Sequence, residues 1–268
     1  MPQNRVFDTP PARALEQAKI ALLREPIAEW KTQFGLNTAW DVGCGVGYFS
    51  LLLAELGFQT RALDGRAENA EESMRRIPNL DVRVADVEDP SLPGLGRADL
   101  VFCLGLLYHL ENPFLAIRNL AQLTGKLMVV ESMCTWDTLP VLYLLEEGPT
   151  EDQGLRHIAF YPSESCLVKM LYLSGFSFVY RFNNLPKNVD FQSSLDQTKR
   201  RTMLVASRVE ISSSSVTLVP EISATYYPWH TAWATGTQPV KRVWGFMRKP
   251  WPEKVMTMRR MLGVQKAL

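Results

Sequence analysis

Apolar residues along the chain gather in short runs separated by polar stretches of helical spacing. Pro11 to Phe34 has the periodicity of one or two amphipathic helices, with a break expected near Pro26. An apolar run from Thr38 to Cys44 predicts a strand ending in glycines, followed by an apolar helix over Tyr48–Leu56 closed by Gly57. Gln59–Asp64 reads as a second strand, Arg66–Arg76 as a polar helix, and the alternating stretch Leu80–Val87 as a third strand. A fourth strand is expected over Asp99–Leu107, a helix over Asn112–Leu123 and a fifth strand over Lys126–Glu131. Ser163–Ser174 is helical in pattern. Phe176–Phe182 and Thr202–Ser207 suggest an antiparallel pair at a sheet edge. Strands that alternate with helices predict an α/β fold with a mostly parallel sheet and helices on both faces.

Two segments break the rhythm. Cys134 to Pro162 is long for a connection inside a compact domain, and such insertions are usually lids or binding loops. After Arg208 a serine run, Ser212–Ser215, leads to the aromatic stretch TYYPWHTAW. The expected organisation is an N-terminal helical lid (1–34), a central domain (35–208) and a C-terminal extension (209–268).

Composition refines this. The 268 residues carry 29 Lys and Arg against 28 Asp and Glu, a formal charge of +1. That balance hides an asymmetry, because Lys241–Leu268 holds eight basic residues and one acidic residue, Glu253, for a net +7. The rest of the chain is therefore net −6. Neither a nucleic-acid coat nor an acidic disordered tail describes the whole. The four cysteines, Cys44, Cys103, Cys134 and Cys166, have no zinc-ligand spacing and suggest no disulfide framework. No stretch approaches the roughly 18 apolar residues of a membrane span, and the N-terminus lacks a signal peptide's apolar core. A cytoplasmic protein with no metal is expected.

The chemistry-bearing signal is Asp41-Val42-Gly43-Cys44-Gly45-Val46-Gly47 between a strand and a helix. Glycines there allow a sharp turn and close approach of a ligand to the backbone. The spacing is GxGxG rather than the GxGxxG of dinucleotide-binding turns. Asp64 ends the next strand, where a carboxylate can accept ribose hydroxyls. Asp86 ends the third, within reach of a base's exocyclic amine.

With these residues, and with DLVFCLGLLYHLENP at the fourth strand, the sequence resembles the class I S-adenosylmethionine-dependent methyltransferases over about Asn37–Arg208. The resemblance implies a Rossmann-like, seven-stranded sheet with an antiparallel last strand and S-adenosyl-L-methionine as cofactor. By motif, Asp41, Gly43, Gly45 and Gly47 would surround the amino-acid end of the cofactor. Asp64, Gly65 and Arg66 would lie at the ribose and Asp86 and Val87 at the adenine. Cys103 and Leu104, at the end of the fourth strand, would lie beside the methionine part through their backbone.

Methyl transfer needs alignment and exclusion of water, and a base only when the acceptor must lose a proton. His109 is the expected base and Tyr108 an aromatic wall for the sulfonium. His157 and Tyr161 are weaker candidates, and Glu131, Glu146 and Glu147 are possible contacts of an amine. A small-molecule or sugar-like acceptor, methylated on oxygen or nitrogen, is the favoured partner. A closed pocket roofed by Trp136, Tyr161 or Trp229 would favour such an acceptor, and Trp229 and Trp233 beside His230 read as a segment that covers something apolar. LGLLYHLENP is also similar to the tRNA wobble-uridine carboxymethyl- and methyltransferases. In the tail, Lys241, Arg242, Arg248 and Lys249 alternate with Trp244, Phe246 and Trp251, a composition that suits RNA. Nucleic acid is thus the second expected partner. The tail also suits a helix that packs back on the core or mediates a homodimer. A non-catalytic cofactor-binding subunit would share the same fold.

Overall fold

The computed structural model describes residues 6–147, 154–192 and 200–222. Trp229, His230, Trp233 and the basic tail lie outside the described residues. Residues up to Ile222 form one compact unit.

The first helix, α1 (Pro10–Phe34), runs through Pro26 without a break. Leu23, Ile27 and Trp30 are fully buried on both sides of that proline, and this packing overrides its local cost. A left-handed Gly35 ends the helix. Then follow β1 (Thr38–Val42), α2 (Tyr48–Glu55), β2 (Gln59–Asp64), α3 (Ala67–Arg76), β3 (Asp81–Val84), β4 (Ala98–Leu104), α4 (Pro113–Leu123) and β5 (Thr124–Met133). The insertion holds β6 (Leu142–Glu146) and β7 (Ile158–Pro162). After it come α5 (Glu164–Leu173), β8 (Phe178–Phe182), β9 (Arg201–Ser207) and β10 (Val216–Val219).

Eight of these strands form one sheet in the order β10-β8-β9-β5-β4-β1-β2-β3. β1 to β5 are mutually parallel. β9 enters antiparallel to β5, β8 pairs antiparallel with β9, and β10 with β8. The expected seven strands are therefore eight, because β10, which follows a serine-rich polar stretch, carries too short an apolar signal to stand out. It also carries the sheet past the boundary expected at residue 208.

The central strands are buried on both faces, and alternate side chains divide between two cores. Val101, Cys103, Met128 and Val130 face α4 and α5 through Ile117, Leu120, Leu167 and Leu171. Leu100, Phe102, Leu127 and Val129 face α1 and α2 through Leu23, Ile27, Trp30, Phe49 and Leu53. This two-sided burial explains why those strands read as continuous apolar runs. The rigid sheet leaves the carboxyl ends of β1 to β5 side by side.

The insertion adopts its own structure. β6 and β7 pair as a separate antiparallel ribbon. All of β6 is exposed, so no burial periodicity marks it in the sequence. Among the described residues no helix is long and apolar enough to cross a membrane.

Candidate active site

One crevice collects most of the predicted site. Its floor is the turn after β1. There the backbone N–H groups of Gly43 and Cys44 both donate to the Leu63 carbonyl at 2.8 and 3.0 Å, tying the turn to β2. Gly43 and Gly45 have φ of +70° and +52°, the left-handed region where a side chain is strained. A Cβ at Gly43 would stand 3.0 Å from Leu106, and one at Gly45 3.0 Å from the Phe7 ring.

Asp64 organises this end. Its Oδ2 accepts the Gly45 N–H at 2.9 Å, and its Oδ1 accepts the Arg66 N–H at 2.9 Å and the Asn69 amide at 3.2 Å. Burial raises its pKa against the pull of these donors. Asp86 lies further along, accepting the Glu88 N–H at 2.9 Å. The insertion reaches back here: Arg156 pairs with Asp86 at 2.7 Å and with Glu88 at 2.8 Å. Leu155 packs on Gly65, where a Cβ would come within 2.7 Å of it.

The other end is assembled from distant segments. Lys19 of α1, almost wholly buried, stands 2.9 Å from Glu131 of β5. Arg201, at the start of β9, pairs with the other Glu131 oxygen at 2.9 Å and donates to the Tyr108 hydroxyl at 3.2 Å. Burial opposes the charge of Glu131, yet Lys19 and Arg201 outweigh it and hold its pKa below the usual range. Lys19 behaves likewise in the opposite sense, raised by Glu131 and Glu16 despite its burial. Glu16, 3.1 Å from Lys19, has its pKa raised by burial. Burial also raises the Tyr108 phenol, which stays protonated at neutral pH. His109 closes a short 3-10 turn, Leu107–His109, and its Nδ1 pairs with Glu147.

Of the residues read from sequence, Gly43, Asp64, Gly65, Arg66, Asp86, Val87, Leu104, Tyr108 and His109 line the crevice. Asp41, Gly45, Gly47 and Cys103 do not. Asp41 is corrected from a crevice-facing carboxylate to a core one: it accepts from the Ser50 hydroxyl at 2.6 Å inside α2's packing, and burial raises its pKa to about 7. Cys103 is fully buried within the sheet and burial pushes its thiol up. Arg66 turns its side chain to Glu68 at 2.8 Å. Trp136 is exposed beside a different hollow and does not roof the crevice. Tyr161 packs edge-on against Tyr108, with ring centroids 6.0 Å apart. His157 has a left-handed φ of 54° just before β7 and is absent from the crevice lining.

Glu16, Lys19, Leu155, Arg156 and Arg201 also line or border the crevice, and sequence reasoning missed them. One signal was present. Leu15, Lys19, Leu23, Ile27 and Trp30 share one stripe of α1, so Lys19 holds a position where an apolar residue is expected.

Comparison with known proteins agrees with this architecture. Residues 40–126 match the family model described as a methyltransferase domain. A ubiquinone biosynthesis O-methyltransferase of Xanthomonas campestris pv. campestris (strain B100) is 37% identical over 87 residues, 31% of this chain and 36% of the relative. One of Xanthomonas axonopodis pv. citri (strain 306) is 36% identical over 96 residues, 33% and 40% of the two chains. The chain thus spans well under half the length of these curated relatives. Among solved structures, the N-terminal domain of EvdMO1 with SAH bound superposes with a TM-score of 0.55 at 22% identity, covering 72% of this chain and 80% of that one. The sugar N-methyltransferase KedS8 from Streptoalloteichus sp ATCC 53650 gives 0.51 at 14%, covering 73% and 88%. The fold is that of the class I methyltransferases. Residues 40–126 thus resemble a methyltransferase domain, set in a fold shared with methyltransferases of known structure.

Proposed function

We propose that the protein is an enzyme that transfers a methyl group from S-adenosyl-L-methionine to the oxygen or nitrogen of a small-molecule acceptor. The observation that carries this reading is the single crevice in which the tips of β1, β2 and β3 meet the Tyr108–His109 turn after β4. The chain's own groups fit the cofactor. Gly43 and Gly65 present bare backbone to the crevice, Asp64 presents a buried carboxylate to a ribose, and Asp86 with Val87 borders the place of a base. When bound, the cofactor supplies an activated methyl group, and the protein aligns the acceptor and excludes water.

Val6, Phe7, Ala12 and Leu15 cover the crevice from the N-terminal side. Asp8 fastens that cover to α3 through Arg76 at 2.5 Å and to Tyr48 at 3.0 Å. We read the first turns of α1 as the lid expected of residues 1–34, with its second half serving as core. The lining mixes Lys19, Arg66 and Arg201 with Glu16, Asp64 and Asp86, and so offers no basic track for a phosphate backbone. That mixture favours a small molecule over tRNA, as do the small-molecule names of the relatives.

Calorimetric titration of S-adenosylmethionine into the full chain tests the reading. Saturable binding that weakens in Asp64→Asn supports it, and absence of binding overturns it. Affinity for unmodified tRNA that falls steeply with salt would favour a nucleic-acid acceptor instead.

A further inference from the structure

The insertion contributes an acidic group to the site. Glu147 directly follows β6, and its N–H donates to the His157 carbonyl at 3.0 Å, extending the β6–β7 ladder by one step. This fixes its backbone, and its carboxylate pairs with Nδ1 of His109. Both side chains are nearly removed from solvent. Gly154 packs against the pair: a Cβ there would stand 3.4 Å from the His109 carbonyl oxygen and would collide with the Glu147 carboxylate. His109 and Gly154 both line the crevice.

A neutral imidazole that donates its Nδ1 proton to a carboxylate is set in the tautomer whose Nε2 accepts a proton. The carboxylate also stabilises the imidazolium formed when that proton arrives. Tyr108 adjoins His109 in the same turn, with ring centroids 4.2 Å apart, and Tyr161 of β7 packs against Tyr108. Behind Tyr108 stand Arg201, Glu131 and Lys19, whose charges are committed to one another. Glu147 therefore bears on the imidazole directly.

We propose that Glu147 is a positioning residue that makes His109 the proton acceptor of the site, and that the acceptor is an un-ionised hydroxyl. The proposal rests on the methyl-transfer reading above. An oxygen lone pair of the hydroxyl forms the new C–O bond as the C–S bond breaks, and that bond's electron pair returns to sulfur. The hydroxyl proton passes to Nε2, and the imidazolium later releases it to water. The products are a methyl ether and S-adenosylhomocysteine. A neutral amine can lose its proton after attack and a carboxylate has none to lose, so a built base suits a hydroxyl best.

The test uses the full chain, saturated with S-adenosylhomocysteine and labelled with nitrogen-15 at its three histidines. The His109 ring is assigned by its loss in His109→Gln. The expected result is an Nδ1–H tautomer in the unmodified protein. In Glu147→Gln the ring's proton affinity should fall by about tenfold, with recovery in Glu147→Asp. Gly154→Ala, which keeps both partners but displaces the carboxylate, should move the ring in the same direction. An unchanged tautomer and titration in Glu147→Gln and Gly154→Ala overturns the proposal. S-adenosylhomocysteine affinity, measured on the same samples, should stay within about twofold of the unmodified chain. Failure of the unmodified chain to bind it overturns the methyl-transfer reading instead. Methylation of aniline or benzoate with none of catechol would overturn the hydroxyl assignment.

Discussion

At one end of the crevice Gly43, Asp64 and Asp86 come from the tips of three strands consecutive in sequence. At the other end Lys19, Tyr108, Glu131 and Arg201 come from α1, the turn after β4, β5 and β9. The first end is made largely of backbone: Asp64 is held by the N–H groups of Gly45 and Arg66, both within a few residues of a strand tip. The second end is made of side-chain charges that neutralise one another out of water. Local turns therefore build one end of the crevice, and long-range packing builds the end opposite it. A motif can specify the first but not the second.

The sharpest way to break this contrast is at Glu131. Glu131→Gln removes the negative partner of two buried cations, and such a loss costs about 3–5 kcal/mol. Chemical denaturation should report that loss in full. Replacing Lys19, Glu131 and Arg201 together by Met, Leu and Met should recover part of it, because the three charges leave together and Glu16, whose pKa burial already raises, can take up a proton when Lys19 is gone. A triple variant as unstable as the single one would mean that the ion group is not the unit described.

Asp64→Ala probes the opposite end. It leaves the Gly45 and Arg66 N–H groups without their acceptor, at about 1–3 kcal/mol for each group that stays buried. Thermal denaturation should show part of this, and cofactor affinity should fall by roughly 100-fold or more, the loss expected when a buried polar recognition partner is removed. Stability lost with affinity kept would separate the turn's structural role from ligand binding.

Asp41 lies just beneath the glycine turn and should respond to pH rather than to ligand. Its folded pKa of about 7 is above that of the unfolded chain, so the folded state holds a proton that the unfolded chain has released. Its contribution to stability is full below the ordinary carboxylate range and is lost as pH rises through about 7. Asp41→Asn should flatten the fall in melting temperature between about pH 5 and pH 8, a difference of about 2–3 kcal/mol. An unchanged slope would remove Asp41 as its source.

The smallest effect is expected at Arg156, where the insertion meets Asp86 and Glu88. Its ion pairs with Asp86 and Glu88 are partly exposed, and such pairs contribute under about 1 kcal/mol. Because it occupies an Asp86 oxygen, Arg156→Ala should tighten S-adenosylmethionine binding by a few-fold in calorimetry. Weakened binding would instead make Arg156 part of the adenine wall.

Much of the fold was legible because the central strands are buried on both faces and the helices between them are amphipathic. The elements that escaped lack such a signal. β6 is exposed at every position and β10 is only four residues long. Pro26 misled for the complementary reason, since a local breaker yields when its neighbours are sealed in a core. In the site, the glycines, Asp64, Asp86 and the Tyr108–His109 pair stood out by motif. Lys19 was visible only as a charge on an apolar stripe. Arg201 follows Arg200 at a strand start, and nothing in its sequence surroundings marks which carboxylate it meets.

The sequence by itself determined the alternating order of β1 to β5 and the helices between them, the glycine turn and the residues at the strand tips, because short-range periodicity and backbone conformation are local properties. Only the tertiary structure decided that Asp41 turns into the core, that Arg156 reaches Asp86, and that Glu147 meets His109. It also decided that Lys19, Glu131 and Arg201 share one buried group. Most of those pairings join residues tens to more than a hundred positions apart. The cost of burying a charge selects each partner only once the fold has removed water from around it.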